Sequence, residues 1–192
     1  MELAAERFYS RSGIHPKKFA LLLACASMVM MFAGLTSAYL VRQAAGNWLE
    51  FQLPVIFAVS TGVILMSSIL LHTSYRSFCN GAAGSYRWML AAATLLGVTF
   101  LVLQYQGWLA LERIGIALST NPSGSFVYAI SGIHAAHVLG GIAALLVAVL
   151  HAFSLPYKVT QQRKLRFELT LIYWHFVDLL WVYLFVFLLM QR

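Results

Sequence analysis

The sequence predicts an all-α integral membrane protein, a bundle of five transmembrane helices in a single membrane domain that covers residues 1–192. Apolar residues make up 61% of the chain and charged residues only 10%, and a soluble domain of this length could not bury so much apolar surface. Five apolar runs are each long enough to cross a hydrocarbon layer of ~30 Å, which takes about 20 helical residues. The four prolines fall at the edges of these runs, where a proline costs a helix least.

Each predicted helix is bounded by a recognisable signal. Pro16 precedes the first span, and Pro54 opens the second. The third span ends near Trp108, an aromatic anchor typical of a membrane interface. Pro122 precedes the fourth span and Pro156 follows it, while the fifth span is aromatic along much of its length. Because the loops are short, consecutive helices should pack antiparallel. The predicted spans are approximately 18–41, 54–76, 87–111, 125–154 and 167–190.

Most Lys and Arg residues lie on one side of the predicted bundle, which indicates its orientation. The opposite side carries only Arg42, Arg113 and Arg192. The positive-inside rule therefore places the N-terminus in the cytoplasm and the C-terminus outside it. We expect the membrane to be the cytoplasmic (inner) membrane of a bacterium, with the C-terminus in the periplasm. Because the basic residues lie between the spans, they do not indicate a nucleic-acid partner. The ten on the cytoplasmic side are Arg7, Arg11, Lys17, Lys18, Arg76, Arg87, Lys158, Arg163, Lys164 and Arg166.

Ionisable side chains inside the apolar runs are the candidate functional residues, because each costs ~2.5–3.5 kcal/mol at a helix centre on insertion scales. His134 and His137 are three residues apart in the fourth span, and His175 and Asp178 repeat that spacing in the fifth. Each pair therefore shares one helix face. With a rise of about 1.5 Å per residue, both pairs lie near the middle of the membrane. Since the two helices run antiparallel, we expect the pairs to be neighbours.

A second polar group lies at the cytoplasmic end, where His151 leaves the fourth span, Glu168 enters the fifth and His72 ends the second. We expect Glu168 to be held near His151, within reach of Lys164 or Arg166. The intramembrane polar residues could hold the bundle in register, form a proton relay or ligand site, ligate haem or bind zinc. Two histidines on one helix face do not bracket an iron, and no cysteine lies near them. The structural and proton-related interpretations are therefore favoured.

Several motifs resemble a known family. The stretch SGIHAAHVLGG, which contains His134 and His137, resembles a signature of subunit III of haem-copper terminal oxidases, the cytochrome c and quinol oxidases. The stretch FELTLIYWHFVDLLWVYLF, which contains Glu168, His175 and Asp178, is similar to the last helix of that subunit. STGVILMSSILLH and LLGVTFLVLQYQGW are similar to two of its earlier helices. The resemblance runs in order along nearly the whole chain.

The resemblance implies a non-catalytic subunit of a respiratory oxidase, which reduces O2 to water and couples this reaction to proton pumping. It implies no catalytic residue and no cofactor or metal site in this chain, because haem and copper belong to partner subunits. Subunit III of the family packs beside subunit I, its main partner, contacts other oxidase subunits and binds phospholipid. It supports proton uptake and the longevity of the catalytic centre.

The sequence departs from the family pattern in two respects. The long form of the family has seven helices, of which the first two are separated from the other five by a lipid-filled cleft. Five spans correspond to the short form, which lacks that pair. The family often has buried glutamates at two positions where this sequence has Met28 and Gly107, so a role that depends on those carboxylates is not carried over.

Other functions remain as alternatives at this point. The first is a related accessory subunit of nitric oxide reductase, and the sequence does not separate it from an oxidase subunit. The second is an independent membrane protein that binds haem b. The third is a small proton-coupled transporter, which should show paired helix breaks near mid-membrane. The prolines at the edges of the spans argue against a transporter.

Overall fold

A computed structural model describes residues 15–118 and 121–191 of the chain. All five helices in these ranges are long and apolar enough to cross a membrane, which confirms the predicted all-α, five-helix fold of a multi-pass membrane protein. Arg7, Arg11 and Arg192, which contributed to the predicted orientation, lie outside the described residues. The helices are α1 (Pro16–Ala44), α2 (Ile56–Cys79), α3 (Ala83–Arg113), α4 (Pro122–Ser154) and α5 (Gln161–Met190).

Capping residues make some helices longer than the apolar runs predicted. Asn121 precedes α4, and its side chain accepts a hydrogen bond of 2.9 Å from the backbone N–H of Ser123. Thr160 caps α5 in the same way, with its hydroxyl oxygen 3.3 Å from the backbone nitrogen of Arg163. Each cap satisfies a backbone donor that the first helical turn leaves without a partner. Helix α5 therefore begins at Gln161, six residues before the start of the predicted apolar span.

Four of the helices form a ring, and the first lies outside it. Within the ring, α2 packs against α3, α3 against α4, α4 against α5, and α5 against α2. Helix α1 packs only against α4 and α5. Only 17% of the most apolar stretch of α1 is buried, whereas the figure for α5 is 44%. Helix α5 is therefore the central element, because it packs extensively against every other helix except α3.

Helices α2 and α3 pack through a regular seam that contains serine. The buried positions of α2 alternate in steps of three and four residues, as in a left-handed coiled coil, and small residues at such positions let helix backbones approach. Ser67 donates a hydrogen bond of 2.8 Å to the backbone oxygen of Ala93, and Ser74 donates one of 2.9 Å to that of Tyr86. These bonds fix the register of the pair. The buried positions are Phe57, Ser60, Ile64, Ser67, Leu71, Ser74 and Phe78.

Two glycines form a socket for the indole of Trp174, which is fully buried. A Cβ atom on Gly97 of α3 would lie 2.7 Å from Cη2 of the indole, and one on Gly141 of α4 would lie 3.0 Å from Cε3. Real Cβ atoms do not approach other heavy atoms to 2.7 Å. The absence of a side chain at these positions is therefore what lets α3, α4 and α5 meet around Trp174.

Gly107 serves packing between α3 and α2. A Cβ atom there would lie 2.9 Å from the ring of Phe57, a fully buried residue near the start of α2. The aromatic ring occupies the space that a larger side chain at position 107 would need.

Candidate functional site in the polar seam of the bundle

The interface between α2 and α5 contains a row of polar side chains that extends from the Glu168 end of the bundle towards its middle. On α2, Thr61, Ser68 and Tyr75 are seven residues apart, about two helical turns, and so share one face. On α5, Glu168 and His175 have the same spacing. We call this row the polar seam. Its members are Thr61, Ser68, His72, Tyr75, Glu168, His175, Asp178 and Trp181.

Glu168 connects three helices at the shallow end of the polar seam. Its Oε1 atom accepts a hydrogen bond of 2.6 Å from the hydroxyl of Tyr75 on α2, and its Oε2 atom lies 2.5 Å from Nζ of Lys18 on α1. Lys164, one turn earlier on α5, also acts on its charge. The predicted pairing with His151 is wrong, because α1 rather than α4 supplies the counter-charge.

His175 is held by α2. Its Nδ1 atom forms a hydrogen bond with the hydroxyl of Ser68, and its ring centroid lies 5.7 Å from that of His72. His175 is half-buried, whereas His72 is exposed on the outer surface of the bundle. The prediction that His175 would find its partner on α4 is wrong, since the face of α5 that carries it is turned towards α2.

Asp178 is the deepest ionisable residue of the polar seam, and it is only 2% exposed. Neither of its carboxylate oxygens has a hydrogen-bond partner among the residues that the structure describes. Ser68 is the polar side chain beside it, but the Ser68 hydroxyl is bonded to His175. A buried polar group without a partner costs about 1–3 kcal/mol, and more if it is charged. The burial of the Asp178 carboxyl is therefore offset at most by the nearby Ser68 hydroxyl, which it shares with His175.

His134 and His137 lie on α4, apart from the polar seam. His134 is fully buried, and neither of its ring nitrogens has a partner within the described ranges. Its ring packs against Trp181 at 5.0 Å and Phe100 at 6.1 Å between centroids. His137 donates from Nδ1 to the backbone oxygen of Ile133, 2.8 Å away in its own helix. The six predicted site residues are thus divided, with only Glu168, His175 and Asp178 in the polar seam.

His151 lies apart from both groups and lines a cavity of about 540 Å³ between the end of α4 and the beginning of α5. The walls are mainly apolar and include Ala148 and Phe167. Arg163 and Arg166 add positive charge to the lining. The cavity therefore combines an apolar interior with cationic side chains.

Sequence reasoning missed Thr61, Ser68, Tyr75 and Lys18 as partners in the polar seam. The spacing of seven between Thr61, Ser68 and Tyr75 was a usable signal, because three polar residues on one face of an apolar helix must meet another polar surface. Lys18 had been interpreted only as an orienting charge. Its ion pair with Glu168 shows that it also joins α1 to the rest of the bundle.

Metal ligation has no structural support in the part of the chain that is described. Across residues 15–118 and 121–191, no three His, Cys, Asp or Glu side chains lie close enough together to hold a metal ion. Cys25 is buried in α1 and Cys79 is exposed at the end of α2, and both are free thiols. The polar seam contains titratable side chains at increasing depth in the bundle, and such groups can exchange protons.

Known proteins resemble this chain along almost all of its length. The sequence model of the family described as cytochrome c oxidase subunit III matches residues 11–191. A protein named cytochrome c oxidase subunit 3 from Synechocystis sp. is 30% identical over 183 residues, which are 90% of this chain and 75% of that protein. Its counterpart from Corynebacterium diphtheriae is 32% identical over 82% of this chain and 80% of its own length. The protein of the same name from Thermostichus vulcanus is 30% identical over 91% of this chain and 88% of its own length.

Proposed function

This chain belongs to the cytochrome c oxidase subunit III family, and from that premise we propose that it serves as subunit III of a respiratory oxidase in a bacterial cytoplasmic membrane. It is a non-catalytic subunit of a haem-copper oxidase. Subunit I is its main partner, and that subunit holds the oxygen-reducing centre. The alternative function in nitric oxide reductase is not favoured, because the relatives carry the name of an oxidase subunit.

The role of the chain is to support proton uptake and to keep the catalytic centre active over many turnovers. The observation that carries this proposal is the buried carboxyl of Asp178, which accepts no hydrogen bond from the residues that the structure describes. It lies ten residues beyond Glu168, about 15 Å along the helix, and His175 lies between them. This series of ionisable groups stops in the middle of the bundle, so it suits a proton store beside the main path better than a path across the membrane.

The direct test of this function is the identity of the chains that accompany the protein. A tagged chain, purified in mild detergent, is expected to bring with it a subunit with haem and copper and to reduce O2. Co-purification with a nitric oxide reductase, or with no other chain, would contradict the proposal. The same preparation identifies the electron donor, because cytochrome c and quinol can be compared as substrates.

The chain purified without its partners is expected to be colourless. His134 is enclosed by aromatic rings at 5.0–6.3 Å between centroids, and it shares one face of α4 with His137, so the two imidazoles cannot bracket a haem iron. The measurement is an absorption spectrum of the isolated polypeptide. A Soret band that follows the polypeptide and disappears in His134→Ala or His137→Ala would favour a haem b protein instead.

The N-terminus is proposed to lie in the cytoplasm and the C-terminus in the periplasm. The Lys18–Glu168 ion pair supports one part of this arrangement, since it requires the beginnings of α1 and α5 to be on the same side. Alkaline phosphatase fused after Arg192 is therefore expected to be active. The matched control has the enzyme inserted at Asn80, between α2 and α3, where it should be inactive. The reverse pattern would exclude this orientation.

The phospholipid that the family resemblance implies has a candidate position in the cavity between α4 and α5. The apolar walls suit an acyl chain, and Arg163 and Arg166 can bind a phosphate group. The two arginines are at the end of the bundle where the basic loops lie, the depth at which a phospholipid headgroup is found.

A further inference from the structure

Helices α1 and α2 leave an open groove over α5. Both pack against α5, but they do not pack against each other. Helix α2 borders one side of the groove, where Ser68 contacts His175. Helix α1 borders the other, where the hydroxyls of Thr36 and Tyr183 are 3.0 Å apart. Ile172, His175, Leu179 and Val186 on α5 form its floor, since they recur at steps of three, four and seven residues.

The groove is closed at the Glu168 end and open along the rest of its length. At that end Glu168 joins Lys18 of α1 to Tyr75 of α2. Further along, Leu179 is 71% exposed and Val186 is 44% exposed. The open stretch of the groove, here called the channel, therefore leaves large apolar side chains of α5 exposed on the side of the bundle.

Two histidines interrupt this apolar surface. The Nδ1 atom of His175 is bonded to Ser68, and its Nε2 atom has no hydrogen bond to any described residue. His72 contacts the ring of His175, and neither of its nitrogens makes a hydrogen bond within the described part of the chain. His175 is seven residues beyond the Lys18–Glu168 ion pair, about 10 Å deeper along the helix. Hydrocarbon at that depth would leave both imidazoles without partners, which is unfavourable.

We infer that this groove receives a transmembrane helix of another oxidase subunit, and that this helix presents a hydrogen-bonding side chain to His72 and His175. The inference rests on the proposed function, because it takes the partner from the oxidase complex. When Ser68 donates to Nδ1 of His175, the ring proton is on Nε2 and requires an acceptor, and when Nδ1–H donates to Ser68, Nε2 is itself an acceptor. A hydroxyl or an amide side chain, which can donate and accept, has the required chemistry.

A helix fits these features better than the other possible occupants do. The acyl chain of a lipid covers apolar side chains but has no acceptor at this depth, because its ester groups lie at the interface. A second copy of this chain would bring the same histidine-containing groove against itself. A helix from another subunit fills the channel with apolar side chains and supplies one polar group at a fixed height, as buried polar contacts between membrane helices do.

Photo-crosslinking in the intact oxidase tests this inference. A photoreactive amino acid at Leu179 is expected to crosslink to another transmembrane oxidase subunit in native membranes. The matched control is Leu95 on α3, which is 66% exposed and lies on the opposite side of the ring from α5, with which α3 has no extensive packing. Crosslinks from Leu179 to lipid only or to a second copy would overturn the inference, as would an equal yield from Leu95.

Substitution of His72 tests the hydrogen bond itself. His72 is exposed on the outer surface, so its replacement leaves the packed interior intact. His72→Leu is expected to reduce the amount of chain retained on the oxidase in mild detergent several-fold, while His72→Gln, which keeps a donor, retains it. Equal retention of the two variants would contradict a polar contact. If the unaltered chain co-purifies with oxidase subunits but Leu179 gives no crosslink to them, the inference fails and the proposed function stands.

Discussion

Gly97→Leu is expected to prevent the bundle from reaching its native packing. A Cβ atom alone at this position would lie 2.7 Å from the indole of Trp174, and the indole cannot withdraw because Gly141 encloses it from α4. Overpacking of a filled core typically costs ~1–3 kcal/mol and sometimes more. A whole leucine side chain in this socket should reach or exceed the upper end of that range. The measurement is the near-UV circular dichroism of the tryptophans in detergent, which reports how much of the chain is folded.

Gly62→Leu is the matched control for this experiment. Gly62 is also inside a membrane-spanning helix, but a Cβ atom there would meet no other atom within 4 Å. Gly62→Leu should therefore fold like the unaltered chain, because its side chain points into open space at the surface of α2. If both variants lost folded chain to the same extent, helix propensity rather than the Trp174 socket would explain the result.

Asp178→Leu is expected to have opposite effects on the isolated chain and on the oxidase. In the isolated chain the carboxyl has no hydrogen-bond partner among the described residues, so its removal relieves an unfavourable burial worth about 1–3 kcal/mol. The variant should therefore unfold at higher denaturant concentration. In the oxidase we expect the initial turnover rate to change little, because the catalytic centre is in subunit I, and activity to be lost progressively during turnover.

Asp178→Asn separates the charge from the shape of this side chain. The amide is nearly isosteric but cannot take up or release a proton, so it should show the same loss of activity with time as Asp178→Leu. The two measurements are denaturation of the chain alone and oxygen consumption by the complex. If both variants destabilised the chain and left the oxidase durable, Asp178 would be a structural residue of the bundle with no role in turnover.

The number and order of the helices were predictable because the thickness of the hydrocarbon layer sets a minimum apolar length. The residues at which the helices begin and end were less predictable. Polar residues before the apolar run, such as Gln161, belong to α5 because the side chain of Thr160 caps the backbone there. An apolar run identifies the part of a helix that lies in lipid, and the cap identifies where the helix begins.

The identity of the candidate site residues was partly predictable, but their partners were not. A spacing of three residues places His175 and Asp178 on one face, but it does not say which helix that face meets. Sequence neighbours suggested α4, whereas the ring arrangement gives α5 a second contact with α2. Ser68 supplies the hydrogen bond there, and the spacing of Thr61, Ser68 and Tyr75 indicates a polar face on α2 without saying which helix that face meets. Contacts between helices distant in sequence depend on the whole arrangement of the bundle.

The position of α1 has a consequence for how the bundle is assembled during synthesis. Helix α1 is made before the other four described helices, yet among them it packs against α4 and α5. At typical translation rates of ~5–20 residues per second, the interval between α1 and α5 is on the order of ten seconds. Until α4 is inserted, α1 has none of these helix contacts. Its ion pair between Lys18 and Glu168 can form only when α5 enters the membrane, so the docking of α1 is completed late.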